Sequence, residues 1–120
     1  FNPEKLKITI PDFHNLTFRY RQFLNALENR DEKRKEHAKQ LIKELISFES
    51  IVTTYEQIKR SPDFRLRVTH HDTKISNVLF DDQNHAICVI DLDTMMPGYF
   101  FSDVGDMMRT YLSPANEEET

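Results

Sequence analysis

The stretch VTHHDTKISNVLFDDQNHAICVIDLDT, residues 68–94, decides how this chain is read. It opens by crowding His70, His71, Asp72, Lys74 and Asn77 together. NVLF and AICVI follow, apolar and β-branched, with the turn-forming DDQNH between them, so Val78–Phe80 and Ile87–Ile90 are expected to pair as a β-hairpin. A hairpin brings its two ends together. Asp72 and Asn77 before it, and Asp91 and Asp93 after it, therefore converge. Such an oxygen-rich cluster suits a hard divalent cation, above all Mg2+, which takes one or two carboxylates and completes its shell with phosphate and water. A carboxylate left off the metal accepts a proton from a hydroxyl. Lys74, two positions after Asp72, is placed to neutralise a phosphate. A base, a metal clamp and a positive charge are the parts that phosphoryl transfer needs.

Outward from this stretch the pattern is mostly helical. Leu16, Tyr20, Phe23, Leu24 and Leu27 recur at helical spacing, which predicts a helix over Phe13–Asn29. Asp31 is an N-cap for a long helix over Asp31–Lys59, with a broad apolar face from Ala38 to Ile58 and a solvated Lys/Glu face. ITI, residues 8–10, reads as a short strand, RSPDFR as a breaker, LRVTH as β-rich and MMPGYF as a loop. Ser102 or Asp103 caps a last helix, Val104–Leu112, before the polar tail SPANEEET. The fold class expected is α+β, mostly helical, with one hairpin between the two polar loops.

The bulk properties exclude several function classes. With 16 Lys+Arg against 20 Asp+Glu the net charge is −4, without the basic stripe of a nucleic-acid binder. No apolar run is long enough for a membrane span. The lone Cys88 cannot form a disulfide within the chain; inside AICVI it reads as a buried, inert thiol, consistent with a cytoplasmic setting. His14, His37 and His85 read as surface residues, Met95, Met96, Met107 and Met108 as packing, and Tyr99, Phe100 and Phe101 as a buried loop anchor rather than the stacking wall of a sugar pocket.

HHDTKISN, as H-x-D-x-x-x-x-N, resembles the catalytic loop shared by protein kinases and aminoglycoside phosphotransferase (APH)-type small-molecule kinases, and VID resembles their metal-binding aspartate. FHNL, RVTHHDTKISNVLFD, VIDLDTMMPG and DVGDMMR are similar to N-acetylhexosamine 1-kinases within that family. The resemblance implies a protein-kinase-like C-terminal lobe using ATP and Mg2+ on a small-molecule sugar. Asp72 is then the catalytic base, Lys74 contacts the transferred phosphate, Asn77 holds a metal ion, Asp91 links metal to the nucleotide phosphates, and Asp93 is a candidate for the second metal or for orienting the loop. His70 packs beneath the loop, and Asp103 and Asp106 match family positions that brace the catalytic segment.

Choline, homoserine and aminoglycoside kinases share the same loop, so the acceptor stays open, and a pseudokinase or binding module is a further alternative. A metallohydrolase is disfavoured because adjacent histidines on a strand point to opposite faces, although His71 alone could reach a substrate. Some relatives carry a mucin-desulfating label, but a sulfatase motif sets Ser two positions before Pro and four before Arg. SPDFR brings Pro62 one position early. The glycine-rich loop and strand lysine of a nucleotide lobe are not recognisable, and only Gly98 and Gly105 occur. The expectation is an internal part of a C-terminal lobe, inactive alone, with Phe100, Phe101, Met107 and Tyr111 uncovered and prone to self-association.

Overall fold

The computed structural model describes residues 2–29 and 31–114, so the end of the expected polar tail, 115–120, lies outside the described residues. The chain divides into two compact units, Asp12–Phe64 and Phe1–Pro11 with Arg65–Thr120.

The first of these is all helical: α1 (Leu16–Asn29), α2 (Glu32–His37), α3 (Lys39–Ser47) and α4 (Glu49–Arg60). Helix α1 starts at Leu16, not Phe13, because Asn15 takes the cap. Its Oδ1 accepts the Phe18 N–H at 3.1 Å, and its amide donates to Asp12 Oδ1 at 2.7 Å. Asp31 caps α2 as expected, accepting the Lys33 N–H at 3.0 Å. The single helix expected over Asp31–Lys59 is instead three. Ala38 (φ −98°, ψ 8°) and Phe48 (φ −92°, ψ 11°) leave the helical basin. The Ser47 hydroxyl donates to the Glu44 carbonyl at 2.6 Å, a local bond of the kind that bends helices. Neither break contains Gly or Pro, and the apolar spacing runs through both, so periodicity alone cannot locate them. Helices α1 and α4 pack together, tied by the Thr17 hydroxyl on the Glu56 carboxylate. An apolar hollow of about 330 Å3 between α1, α3 and α4 is lined by Tyr20, Phe23 and Phe48 among others.

In the other unit ITI is irregular and forms no strand. Thr9 within it places its hydroxyl 3.8 Å from the Met96 sulfur. Strands β1 (Arg67–Thr69), β2 (Val78–Phe80), β3 (Ala86–Val89) and β4 (Met96–Gly98) form two antiparallel pairs, β1 with β4 and β2 with β3. The hairpin β2–β3 forms at the expected place. Its register runs Val78↔Val89 and Leu79↔Cys88 with a bulge at Phe80. Asp81 organises its turn, accepting the Gln83 and His85 N–H groups at 2.9 and 2.8 Å.

The second pair corrects the expectation of one hairpin. MPG is a strand, not a loop, and its partner RVT lies far upstream in sequence. Pro97 fits there because a two-stranded ladder leaves an edge where no N–H is required. Helix α5 covers Phe100–Tyr111, so Asp103 lies within its first turn and caps nothing; Tyr99 holds the cap position without a side-chain bond. Two packing expectations also change. Cys88 is exposed on β3, and Met107 and Met108 are exposed on α5, leaving Met96 as the buried methionine.

Candidate active site

Loop 70–77 leaves β1 and enters β2, and its backbone is unusual. His71 sits in the left-handed region at φ 69°, where a branched or bulky residue is strained. The strain is held by α5 from below. Asp103 accepts the His70 N–H through Oδ2 and the His71 N–H through Oδ1, both at 2.9 Å. Asp106 accepts the Thr73 N–H at 2.7 Å, and the Thr73 hydroxyl lies 2.9 Å from the Asp103 carbonyl. The remaining amide, that of Asp72, donates to His70 Nδ1 at 3.3 Å. Thus the amides of residues 70 to 73 all end on side chains, in a segment with no ladder to satisfy them.

The two adjacent histidines do separate work, so they do not share a metal. His70 Nε2 lies 2.9 Å from the Ile90 carbonyl, which can only accept. With Nδ1 accepting from Asp72, His70 is the neutral Nε2–H tautomer. It ties loop 70–77 to the residue before Asp91. Thr94 adds a second tie, its hydroxyl donating to the His70 carbonyl at 2.6 Å. His71 turns into the core instead, only 6% exposed. Its Nε2 lies 2.7 Å from the Thr69 hydroxyl, which donates onward to the Met96 carbonyl at 2.9 Å. That burial gives His71 a packing role, whereas the sequence leaves open that it could reach a substrate. Gly98 sits directly over this pair. A Cβ there would fall on Thr69 Oγ1 and the His71 ring, 2.6 Å from Nε2.

On the loop's outer side the polar groups converge. Asn77, 5% exposed, spends both amide hydrogens on Asp72, on its carbonyl at 2.8 Å and its Oδ2 at 3.0 Å. Lys74 Nζ lies 3.3 Å from the same Oδ2, and both side chains remain about a third exposed. The Asn77 carbonyl accepts the Ile90 N–H at 2.9 Å. This bond closes the base of the hairpin and sets Asn77 beside the Ile90–Asp91 step. Asp91 then turns through the left-handed region (φ 61°, ψ 56°), a conformation that Asp tolerates better than most residues, and leads into a 3-10 turn at Leu92–Thr94 that contains Asp93.

The Asp72 carboxylate contacts both the Lys74 and the Asn77 side chains. Asp91 is joined to them through the backbone, and Asp93 lies one short turn beyond. Asp91 and Asp93 are exposed, and their carboxylates are not taken up by hydrogen bonds to described residues. Among the described residues no group of three or more His, Cys, Asp or Glu side chains is close enough to hold a metal by itself. The expected donor set is the Asn77 amide oxygen with the Asp91 and Asp93 carboxylates. It supplies the one or two carboxylates that Mg2+ ordinarily takes from a protein.

The acidic residues of α5 differ in kind. Burial pushes the Asp106 carboxyl up, but hydrogen bonds from Arg109 and from the Thr73 amide and hydroxyl outweigh it. The result lies below the usual carboxylate range. Asp103 and Asp106 are thus engaged as braces, while the Asp91 and Asp93 carboxylates just past the hairpin's base are exposed.

The aromatic trio is not the buried anchor expected. Phe100 is 44% exposed with Arg67 over its ring at 5.5 Å, and Tyr99 and Phe101 stack on each other at 5.3 Å. The support residues Thr69, Thr73, Thr94, Gly98 and Arg109 were not singled out by sequence. Gly98 alone carried a signal, being one of two glycines in the chain.

The family model described as "Phosphotransferase enzyme family" (APH) matches residues 7–119, nearly the whole chain.

Proposed function

This chain belongs to the APH phosphotransferase enzyme family, and on that premise we propose that it transfers the γ-phosphoryl group of ATP to the anomeric hydroxyl of an N-acetylhexosamine. Membership carries the kinase-like fold and small-molecule kinase chemistry. The acceptor, the site assignment and the cytoplasmic setting are the proposal. No helix among the described residues is long and apolar enough to cross a membrane.

The observation that most supports the reading is the double role of Asn77. Its side chain holds the Asp72 carboxylate, and its backbone holds the Ile90–Asp91 step. Asp72 is the base that takes the proton of the acceptor hydroxyl as that oxygen attacks phosphorus. The Asn77 amide fixes one carboxylate oxygen, so the other faces the acceptor. Lys74, paired with Asp72 at 3.3 Å, swings to the transferred phosphoryl group and neutralises charge there. Asn77 and Asp91, with Asp93 beside them, hold Mg2+. A magnesium ion held there would supply positive charge to offset that of the nucleotide phosphates. The chain is read as the core of a C-terminal lobe, with the nucleotide lobe and later substrate helices outside it.

The test uses the full-length protein with Mg·ATP and a panel of N-acetylhexosamines, choline, homoserine and aminoglycosides, with product identified by 31P NMR. A sugar 1-phosphate that Asp72→Asn no longer forms, while still binding ATP, supports both acceptor and base. Product from another acceptor moves the substrate assignment. A folded protein that binds no ATP overturns the reading.

A further inference from the structure

We infer that Thr94 is a positioning residue for phosphoryl transfer, its hydroxyl locking the turn that carries Asp91 and Asp93 to the loop that carries Asp72; this rests on the phosphotransferase reading above. Each of the two polar segments bends through a left-handed residue. His71, at φ 69°, comes directly before the base, and Asp91, at φ 61°, opens the metal-facing turn. Such backbone persists only where its surroundings hold it. The entry to the turn is held at Ile90, whose N–H donates to the Asn77 carbonyl and whose carbonyl accepts from the His70 ring, both at 2.9 Å. Within the turn the Met95 N–H donates to the Leu92 carbonyl at 3.0 Å. The exit is fixed by Thr94, whose hydroxyl donates to the His70 carbonyl at 2.6 Å. That carbonyl belongs to the peptide unit joining His70 to His71, and the N–H of the same unit meets Asp103 at 2.9 Å. One planar peptide is thus clamped at both ends immediately ahead of the base. Because the unit is rigid, a shift of the turn at Thr94 tilts it and swings Asp72. The hydroxyl therefore couples where the metal-facing carboxylates sit to where the base points, two placements that an in-line transfer needs together.

The test compares full-length wild type with Thr94→Val, which keeps the shape and loses the hydroxyl, and Thr94→Ser, which keeps the hydroxyl. Rates are followed against free Mg2+ at saturating ATP and acceptor, and amide hydrogen exchange is measured without metal or nucleotide. For Thr94→Val the Mg2+ concentration giving half-maximal rate should rise about tenfold and kcat should fall about tenfold, the range in which partners that orient metal ligands act. The acceptor KM should stay within about twofold. Thr94→Ser should keep both values near wild type. Exchange in Thr94→Val should quicken at residues 71–73 and at 91–95 together, and not in α1 or α4. A Mg2+ requirement unchanged in a folded Thr94→Val protein, a loss carried by the acceptor KM alone, or a Thr94→Ser loss equal to that of Thr94→Val would overturn the inference. If wild type transfers phosphate to no acceptor, the phosphotransferase reading fails, and exchange still decides the rest: quickening in both segments upholds the coupling, and quickening in one alone or in neither overturns it.

Discussion

Removing the Asp103 carboxylate should cost more than any other single change on α5. Asp103→Ala leaves two backbone donors, the amides of His70 and His71, without the acceptors they now meet at 2.9 Å. A fully buried orphaned donor costs about 1–3 kcal/mol. Asp103 is half-buried, so water recovers part of that, and the low end applies to each amide. The two bonds also hold His71 at φ 69°, a conformation worth roughly 1–3 kcal/mol of strain that the freed loop can relax. Relaxation moves the loop and returns some stability. The net expectation is a loss of about 2–3 kcal/mol for Asp103→Ala and about half that for Asp103→Asn, which keeps one acceptor oxygen. Urea unfolding of the full-length protein and both variants would measure it, with m-values compared to establish that the transition is unchanged in kind. A loss below about 0.5 kcal/mol for Asp103→Ala, the range of an ordinary surface substitution, would refute the view that this carboxylate holds the loop.

Gly98→Ala should destabilise by about 1–3 kcal/mol, because Thr69 and His71 are both anchored and cannot yield to the added methyl; equal urea midpoints for wild type and variant would contradict it. Asp106 has its carboxyl held below the usual range in the fold, so its contribution is present above the ordinary carboxylate pKa of about 3.9 and is lost as pH falls through the lower folded value. The stability gap between wild type and Asp106→Asn, followed by acid titration of unfolding midpoints, should therefore close below about pH 4; a gap that persists to the lowest pH is the contrary result. The isolated 120-residue chain should associate through the exposed Phe100, Met107 and Tyr111 of α5, and sedimentation independent of concentration would count against that.

Much of the site was legible in sequence because its signals are local. The hairpin announces itself through β-branched runs on either side of DDQNH, and a hairpin has one way to join its ends. Asp72, Lys74 and Asn77 fall within a single loop, so their spacing alone brought them together. The cap at Asp31 was legible for the same reason: one side chain reaches an amide two residues on. Cys88 misled because an apolar neighbourhood in sequence is not burial in space; both hairpin strands carry apolar side chains that remain exposed.

What the sequence determined by itself, then, was a local grouping: which oxygens, which cation and which amide share a loop, and where the chain turns back. What only the tertiary structure decided was how that grouping is held. The pairing of β1 with β4 joins Thr69 to Met96, and the grip of α5 on the loop joins Asp103 to His70 and Asp106 to Thr73. Those partners lie about thirty residues apart, at separations for which no spacing rule exists. They meet because a strained loop has backbone amides that must find acceptors, and the nearest acceptors the fold can offer are carboxylates on a helix formed much later in the chain.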